Sequence, residues 1–221
     1  MPNFIHEITN NHKTNCIILS AGKNKTRGEK CAKSLTAISK NKRLIDTQIQ
    51  VVSKVFKDVD ILCAVGDQSK VLTNYILDKY TNVRVVENQK YNLTSPLDSL
   101  KLCLNCATCL DTCVIYGDKH FDADAISFDD YESPIIVEST DDSFSNNDIG
   151  LVYQNNTLKN ISYGVKKKWG QIFYIPRNKF NDFRKKINNL SKKYYNIFDV
   201  INSVAKDYEF KIHKTKHLKE I

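Results

Sequence analysis

Asn15-Cys16-Ile17-Ile18-Leu19-Ser20-Ala21-Gly22 is the stretch from which the fold can be read. Cys16 to Leu19 is apolar without interruption, and Ala21-Gly22 closes it. A short continuous run of this kind reads as a strand buried on both faces, with the glycine as its exit into a loop. The pattern returns at Asp60 to Gly66, at Asn82 to Glu87 and at Cys113 to Asp118. Amphipathic segments lie between these runs. Leu44 to Val55 places Leu44, Ile45, Ile49, Val52 and Val55 on one helical face, and Ser69 to Tyr80 and Ser99 to Leu110 are the next two helices. Alternating strands and helices predict an α/β fold, three-layer α/β/α around a mixed, mostly parallel sheet. Ligands of such sheets lie beyond the carboxyl ends of the strands, where Gly22, Gly66 and Asp118 fall.

Past Asp118 the pattern becomes strand-rich, with Ser133 to Val137, Ile149 to Gln154, Thr157 to Tyr163 and Ile172 to Ile175. Asn155-Asn156 reads as a hairpin turn, and Asn178 to Ser191 and Tyr195 to Ala205 as two closing helices. Residues 1–14 are polar and read as a flexible leader. Residues 15–221 read as one domain, an ordinary size for 221 residues and 25.4 kDa.

Composition narrows the class. Hydrophobic residues make up 41% and charged residues 26%, enough for a packed core and against global disorder. No apolar run is long enough to cross a bilayer and no export signal is visible, so a cytoplasmic protein without a membrane partner is expected. The seven cysteines then read as reduced thiols. Lys and Arg total 33 against 25 Asp and Glu, a formal charge of +8. Gly117 to Asp148 holds ten acids and one base, a net of −9, whereas Leu151 to Ile221 holds sixteen bases and five acids, a net of +11. That segregation suits a site that binds polyphosphate on cations beside carboxylates for a metal; solvated lysines are the alternative. No zinc-finger spacing, aromatic strand motif or basic zipper accompanies the charge, so no nucleic-acid partner is expected.

The first loop carries the functional signal. A glycine after a buried strand, followed by Lys23, Lys25, Arg27, Lys30 and Lys33, offers backbone N–H groups and cations to a phosphate. The loop has neither the Gly-Lys-Ser/Thr of a Walker A motif nor a Gly-x-Gly-x-x-Gly fingerprint. Leu19-Ser20-Ala21-Gly22, Arg27 and Lys33-Ser34-Leu35 resemble the L-x-A-G-x-G-x-R and P-K-x-L signature of the nucleotidyltransferases with a GT-A-like, Rossmann-like fold. Leu44 to Ile49, Ile61 to Gly66, Ile115 to Asp118 and Gly170 to Ile175 resemble later landmarks of that family in order, over roughly residues 15–221. Asn88, Tyr91, Thr94-Ser95 and Ser99-Leu100 are similar to a stretch of its choline-phosphate cytidylyltransferase branch, related to the sugar-phosphate enzymes. Asn24, Thr26 and Ala32 depart from the family's Gly, Arg and Pro. The family's last metal-binding Asp usually closes an E-I-D segment. Here Lys219-Glu220-Ile221 is where that Asp would come next, which implies either a piece of a longer protein or a missing second carboxylate.

The resemblance implies transfer of CMP from CTP to a phosphorylated small molecule, with pyrophosphate released and Mg²⁺ or Mn²⁺ as cofactor. On that likeness Lys33, Arg27 and Asp118 are catalytic, and Asp118 is the metal ligand. Leu19, Ala21, Gly22, Lys23, Asn88, Ser95 and Ser99 bind the nucleotide, and Lys166 and His120 meet the acceptor. A homo-oligomer is compatible with it. The alternatives are a catalytically impaired nucleotide-binding or regulatory homologue, and a sugar-phosphate nucleotidyltransferase using another nucleoside triphosphate.

Cys103, Cys106, Cys109 and Cys113 have the C-x₂-C-x₂-C-x₃-C spacing of an iron–sulfur site. The interleaved Leu102, Leu104 and Leu110 favour small thiols packed in a core instead. His213 and His217 are four apart, as on a helix face, without a third ligand for a metal. Trp169 is a candidate for stacking on the acceptor, although a solitary tryptophan in a strand-rich region is usually a core or rim residue. Asp122, Asp124, Asp129, Asp130, Asp141 and Asp142 read as a solvated loop, from which one carboxylate could replace the second metal ligand.

Overall fold

A computed structural model describes residues 13–22, 32–108, 110–140, 145, 148–191 and 196–221. In chain order the elements are β1 (Thr14–Ser20), a 3₁₀ turn (Lys33–Leu35), β2 (Ala37–Ser39), β3 (Lys42–Arg43), α1 (Leu44–Val55), β4 (Val59–Val65), α2 (Ser69–Lys79) and β5 (Val83–Glu87). There follow α3 (Pro96–Cys106), β6 (Asp111–Tyr116), β7 (Lys119–Phe121), a 3₁₀ turn (Ala123–Ala125), β8 (Ile135–Ser139), β9 (Ile149–Gln154) and β10 (Thr157–Tyr163). The chain continues through β11 (Lys168–Ile175), α4 (Arg177–Leu190), α5 (Ile197–Tyr208), β12 (Lys211–Thr215) and β13 (Leu218–Glu220).

β1 is buried at all seven positions and lies between two parallel neighbours, β4 and β6. Its two-residue alternation divides the core. Ile17 and Leu19 face the cluster that takes in α3, α4 and α5, and Cys16 and Ile18 face the cluster that takes in α1 and α2. Burial on both faces is why the sequence is continuously apolar here. Thr14, expected as the last residue of the leader, instead pairs with Val59 as the first residue of β1; residues 1–12 lie outside the described residues.

The nine-stranded sheet runs β5-β4-β1-β6-β11-β8-β12-β10-β9. It is mixed, and the expected parallel pairing holds only from β5 to β6. Beyond β6, β11 is antiparallel to both β6 and β8, and β10 is antiparallel to β12 and β9; only β12 and β8 return to parallel. Physically, the strand–helix–strand alternation that gives parallel neighbours breaks after α3, and a two-residue hairpin joins β9 to β10; the one later parallel pair, β8 and β12, is joined through a long connection that includes α4 and α5. Asn155 and Asn156 both have left-handed φ, 50° and 59°, the conformation such a tight hairpin needs.

Two helix starts set up the site. α1 begins where the Asp46 carboxylate accepts the Arg43 backbone N–H at 2.7 Å. α3 begins at Pro96, three residues before the expected Ser99, and ends at Cys106 rather than Leu110. Ser95-Pro96-Leu97-Asp98 is a capping box with proline in the first turn, and Asp98 accepts the Ser95 N–H at 3.0 Å.

The C-terminal segment also departs from expectation. His213 lies in β12, so it shares no helix face with His217. His213 Nε2 bonds the Asp124 carbonyl at 2.7 Å, and His217 faces Asp122 at 3.7 Å. Cys103 and Cys113 pack in opposite core clusters and Cys106 is exposed; Cys109 lies outside the described residues. No described group of three His, Cys, Asp or Glu could hold a metal.

Candidate active site

A cavity of about 280 Å³ opens beyond the carboxyl ends of β1 and β6. Its floor is Leu19 to Gly22 from β1 and Tyr116 to Asp118 from β6. Gly117 is where the two strand ends come closest. A Cβ there would lie 2.2 Å from Ser20 Oγ and 2.7 Å from the Leu19 carbonyl, and the Gly117 N–H donates to that same carbonyl at 2.9 Å.

The turn bearing Asp118 is held from the α1 side. The buried Gln48 amide donates to the carbonyls of Tyr116 (3.2 Å) and Lys119 (2.7 Å), and Ser34 Oγ donates to Gly117 O at 3.2 Å. Lys33, one residue before Ser34, places its Nζ 3.4 Å from Asp118 Oδ2. Asp118 Oδ1 is buried without a hydrogen-bond partner among the described residues.

Glu220 enters from the far end of the chain and lines the same cavity. β13 pairs antiparallel with β7, setting Glu220 opposite Lys119, and the Ile221 N–H donates to Asp118 O at 3.0 Å. Glu220 Oε2 accepts Lys119 Nζ at 2.7 Å, and Oε1 lies 3.9 Å from Lys33 Nζ. Burial pushes the Glu220 carboxyl up, but the ammonium groups of Lys119, Lys33 and Lys168 together hold it below its ordinary value. The sequence reading expected the second carboxylate after Ile221 or in the acidic loop. In the structure the acid beside Asp118 is Glu220, and the described loop acids Asp122, Asp124, Asp129 and Asp130 do not line the cavity. Asp141 and Asp142 lie outside the described residues. The one local signal of Glu220 in the sequence is the Lys219-Glu220-Ile221 segment.

The opposite wall comes from the segment between β5 and α3. Asn88 donates to Thr94 Oγ1 (2.9 Å) and Ser99 Oγ (3.0 Å), and its Oδ1 accepts the Lys90 N–H at 3.1 Å. With its amide committed in this way, Asn88 shapes the wall, while Ser95 caps α3 and accompanies Tyr91 and Thr94 along the cavity. Gly66 lets this wall approach β1, because a Cβ there would meet Ala21 O and Tyr91 Cβ at 2.6 Å each.

Gln171 lines the side toward β11, with a left-handed φ of 56° at an irregularity between Trp169 and Phe173. Trp169 is buried and meets Tyr116 edge-on at 5.9 Å; burial pushes the Tyr116 phenol well up. Trp169 Nε1 and its cross-strand neighbour Glu138 Oε2 are both buried without a hydrogen-bond partner among the described residues.

Of the expected residues, Leu19, Ala21, Gly22, Lys33, Asn88, Ser95, Ser99 and Asp118 all line this one cavity. Lys23 and Arg27 lie outside the described residues. Lys166 is exposed in the turn before β11, and half-buried His120 pairs with Lys219; neither lines the cavity. Lys168 is the nearer basic group, 3.3 Å from Asp148 and within electrostatic reach of Glu220.

Solved structures share this architecture. A CTP:phosphocholine cytidylyltransferase from Streptococcus pneumoniae superposes with a TM-score of 0.73 at 21% identity, over 94% of this chain and 93% of that one. An inositol-1-phosphate CTP transferase from T. maritima gives 0.73 at 14%, over 94% and 88%. A nucleoside-diphosphate-sugar pyrophosphorylase from Vibrio cholerae gives 0.71 at 10%, over 93% and 94%. The chain therefore has the fold of these nucleotidyltransferases. No family model matches it, and no curated protein matches it in sequence. No helix among the described residues is long and apolar enough to cross a membrane.

Proposed function

We propose that the protein transfers CMP from CTP to a phosphorylated small molecule and releases pyrophosphate. The observation that carries this reading is the convergence of Lys33, Asp118 and Glu220 at one end of a cavity whose other wall is the Asn88–Ser99 segment. An oxygen of the acceptor phosphate attacks the α-phosphorus of CTP, the α–β bridging bond breaks, and pyrophosphate leaves with that bond's electrons. Such a reaction asks the protein for in-line positioning and charge neutralisation rather than for a covalent intermediate. Lys33, on the cavity side of Asp118, neutralises the α-phosphate and draws in the acceptor phosphate. Lys23 and Arg27 neutralise the β- and γ-phosphates. Backbone groups of Leu19, Ala21 and Gly22 meet the base and ribose beside the Asn88–Ser99 wall. The acceptor lies toward Tyr116, Gln171 and Lys168.

Asp118 and Glu220 are hard oxygen donors facing the same two ammonium groups, and Asp118 Oδ1 has no hydrogen-bond partner among the described residues. This donor set suits Mg²⁺ or Mn²⁺, with Asp118 and Glu220 as its protein ligands. When bound, the ion adds positive charge where the triphosphate develops negative charge.

The choice of CTP rests on the likeness of Asn88 to Leu100 to the cytidylyltransferase branch and on the two CTP-using neighbours. The pyrophosphorylase neighbour supports a second reading, a sugar phosphate with another nucleotide. The test is pyrophosphate release from each of the four nucleoside triphosphates with Mg²⁺ and a pool of phosphorylated small molecules, run beside Asp118→Asn. Release from CTP alone, abolished in the variant, is the expected result. Release from another triphosphate selects the second reading. Triphosphate binding without release rejects turnover and leaves a nucleotide-binding protein.

A further inference from the structure

Lys119 is an unusual residue for its position. It directly follows Asp118, and its side chain is only 3% exposed. Lysine is almost never buried unless its charge is paired. Here the ammonium sits between two carboxylates, 2.7 Å from Glu220 Oε2 and 3.8 Å from Asp118 Oδ1. The second of these distances is too long for a hydrogen bond, so the ammonium faces Asp118 Oδ1 without satisfying it.

Lys33 spans the same two carboxylates from the cavity side, but the two lysines are not equivalent. Lys33 is 28% exposed and can swing its flexible stem toward an incoming phosphate. Lys119 is more constrained and gives way only to a competing cation with further ligands. Its carbonyl is held by Gln48, its backbone is paired with Glu220 between β7 and β13, and its ammonium is enclosed. The two carboxylates therefore already share a cation tethered to the chain.

We propose that Lys119 is a built-in cation of this site: in the free protein it occupies the place between Asp118 and Glu220 and excludes a divalent ion from that pair. A divalent ion is then retained only when a triphosphate brings further oxygen ligands. The second statement rests on the nucleotidyl-transfer reading, whereas the exclusion in nucleotide-free protein does not.

The experiment measures Mn²⁺ binding to nucleotide-free protein by electron paramagnetic resonance, in wild type, Lys119→Met, Lys168→Met and Glu220→Gln. Lys168→Met removes a nearby positive charge without emptying the space between the carboxylates, so it separates exclusion from simple electrostatics. Wild type is expected to show no stoichiometric site in the micromolar range. Lys119→Met is expected to bind Mn²⁺ roughly tenfold or more tightly than wild type, and Lys168→Met within about threefold of it. Equal tightening by both variants, or none by Lys119→Met, overturns the proposal. Circular dichroism establishes that Lys119→Met is folded. Independently of that variant, a tight one-to-one Mn²⁺ site in wild type that Glu220→Gln abolishes also overturns it. Because this test uses no substrate, it can fail or succeed whatever the pyrophosphate assay returns.

Discussion

The side-chain amide of Gln48 donates to the main-chain carbonyl of Lys119 at 2.7 Å, tying the middle of α1 to a turn 71 residues further along the chain. The same amide also reaches Tyr116 O, so the two carbonyls it holds flank Gly117-Asp118. Gln48 does not line the cavity itself; it positions the turn that presents Asp118. Gln48→Met keeps the length of the side chain and deletes both donors. Leaving buried carbonyls without partners costs about 1–3 kcal/mol. The melting temperature should fall by several degrees, as calorimetry would read. If Gln48 positions Asp118, kcat for pyrophosphate release should fall by a larger factor than KM for the triphosphate rises. A stability loss with unchanged kinetics would leave Gln48 a purely structural residue.

Lys33 and Lys166 offer a contrast between two lysines that the sequence reading placed in one site. Lys33 is within 4 Å of both cavity carboxylates, while Lys166 lies exposed in a turn. Lys33→Met should lower pyrophosphate release by roughly a hundredfold or more, the scale of removing one donor aimed at developing charge. Lys33→Arg should restore part of it. Lys166→Met should leave kcat and KM within about twofold, as for exposed charges elsewhere. Steady-state kinetics on the three variants decides this, and equal losses at both positions would move the acceptor toward the turn.

Local pattern carried the first half of the fold. The run Cys16–Leu19 and the Leu44–Val55 helix are legible because each satisfies one strong period over its whole length. The start of α3 is encoded in Ser95 and Asp98, whereas the apolar spacing alone points to Ser99. β7, β12 and β13 are short and set single apolar residues among Lys, His, Thr or Glu, so no period stands out. The switch to antiparallel pairing at β11 is a matter of connection, not of residue type. For the site, Lys33 and Asp118 follow from motif spacing. The approach of Glu220 to Lys119 depends on a pairing across 101 residues, which no local pattern encodes.

The contact at Gly117 makes a steric prediction. A methyl group there would press on Ser20 Oγ and on the Leu19 carbonyl. The hydroxyl belongs to a side chain that can turn away, whereas the carbonyl is main chain and takes the Gly117 hydrogen bond. Gly117→Ala should therefore part the ends of β1 and β6 and cost about 1–3 kcal/mol by chemical denaturation, the range for overpacked interiors. Adding Ser20→Gly should recover only part of this. Full recovery would show that the hydroxyl, and not the strand backbone, sets the limit.

Asp46 should give the protein a distinct acid limb. It is buried, yet its carboxylate accepts the Arg43 N–H and the hydroxyls of Tyr75 and Tyr80 at 2.7 Å each, with Lys79 Nζ at 3.5 Å. Burial pushes the carboxyl up, but these donors and the ammonium outweigh it and hold the pKa below the ordinary 3.8. A carboxyl depressed in the folded state binds its proton more readily when unfolded. Its contribution is thus complete above the unfolded-state value and is lost as pH falls through the lower folded one. Asp46→Asn removes that contribution. Urea unfolding of both proteins from about pH 7 down to about pH 3 should show the variant less stable at neutral pH, by about 1–3 kcal/mol. The gap should begin to close below the ordinary carboxylate value, because wild type loses what the variant never had. Tyr75→Phe and Tyr80→Phe each delete one donor and raise the folded-state value toward the unfolded one, so in either background the Asp46 contribution should be smaller at neutral pH and should finish closing at higher pH, while its onset, set by the unfolded-state value, stays where it is. A gap that stays constant across the range would mean that Asp46 supports α1 by shape alone, with its charge making no contribution.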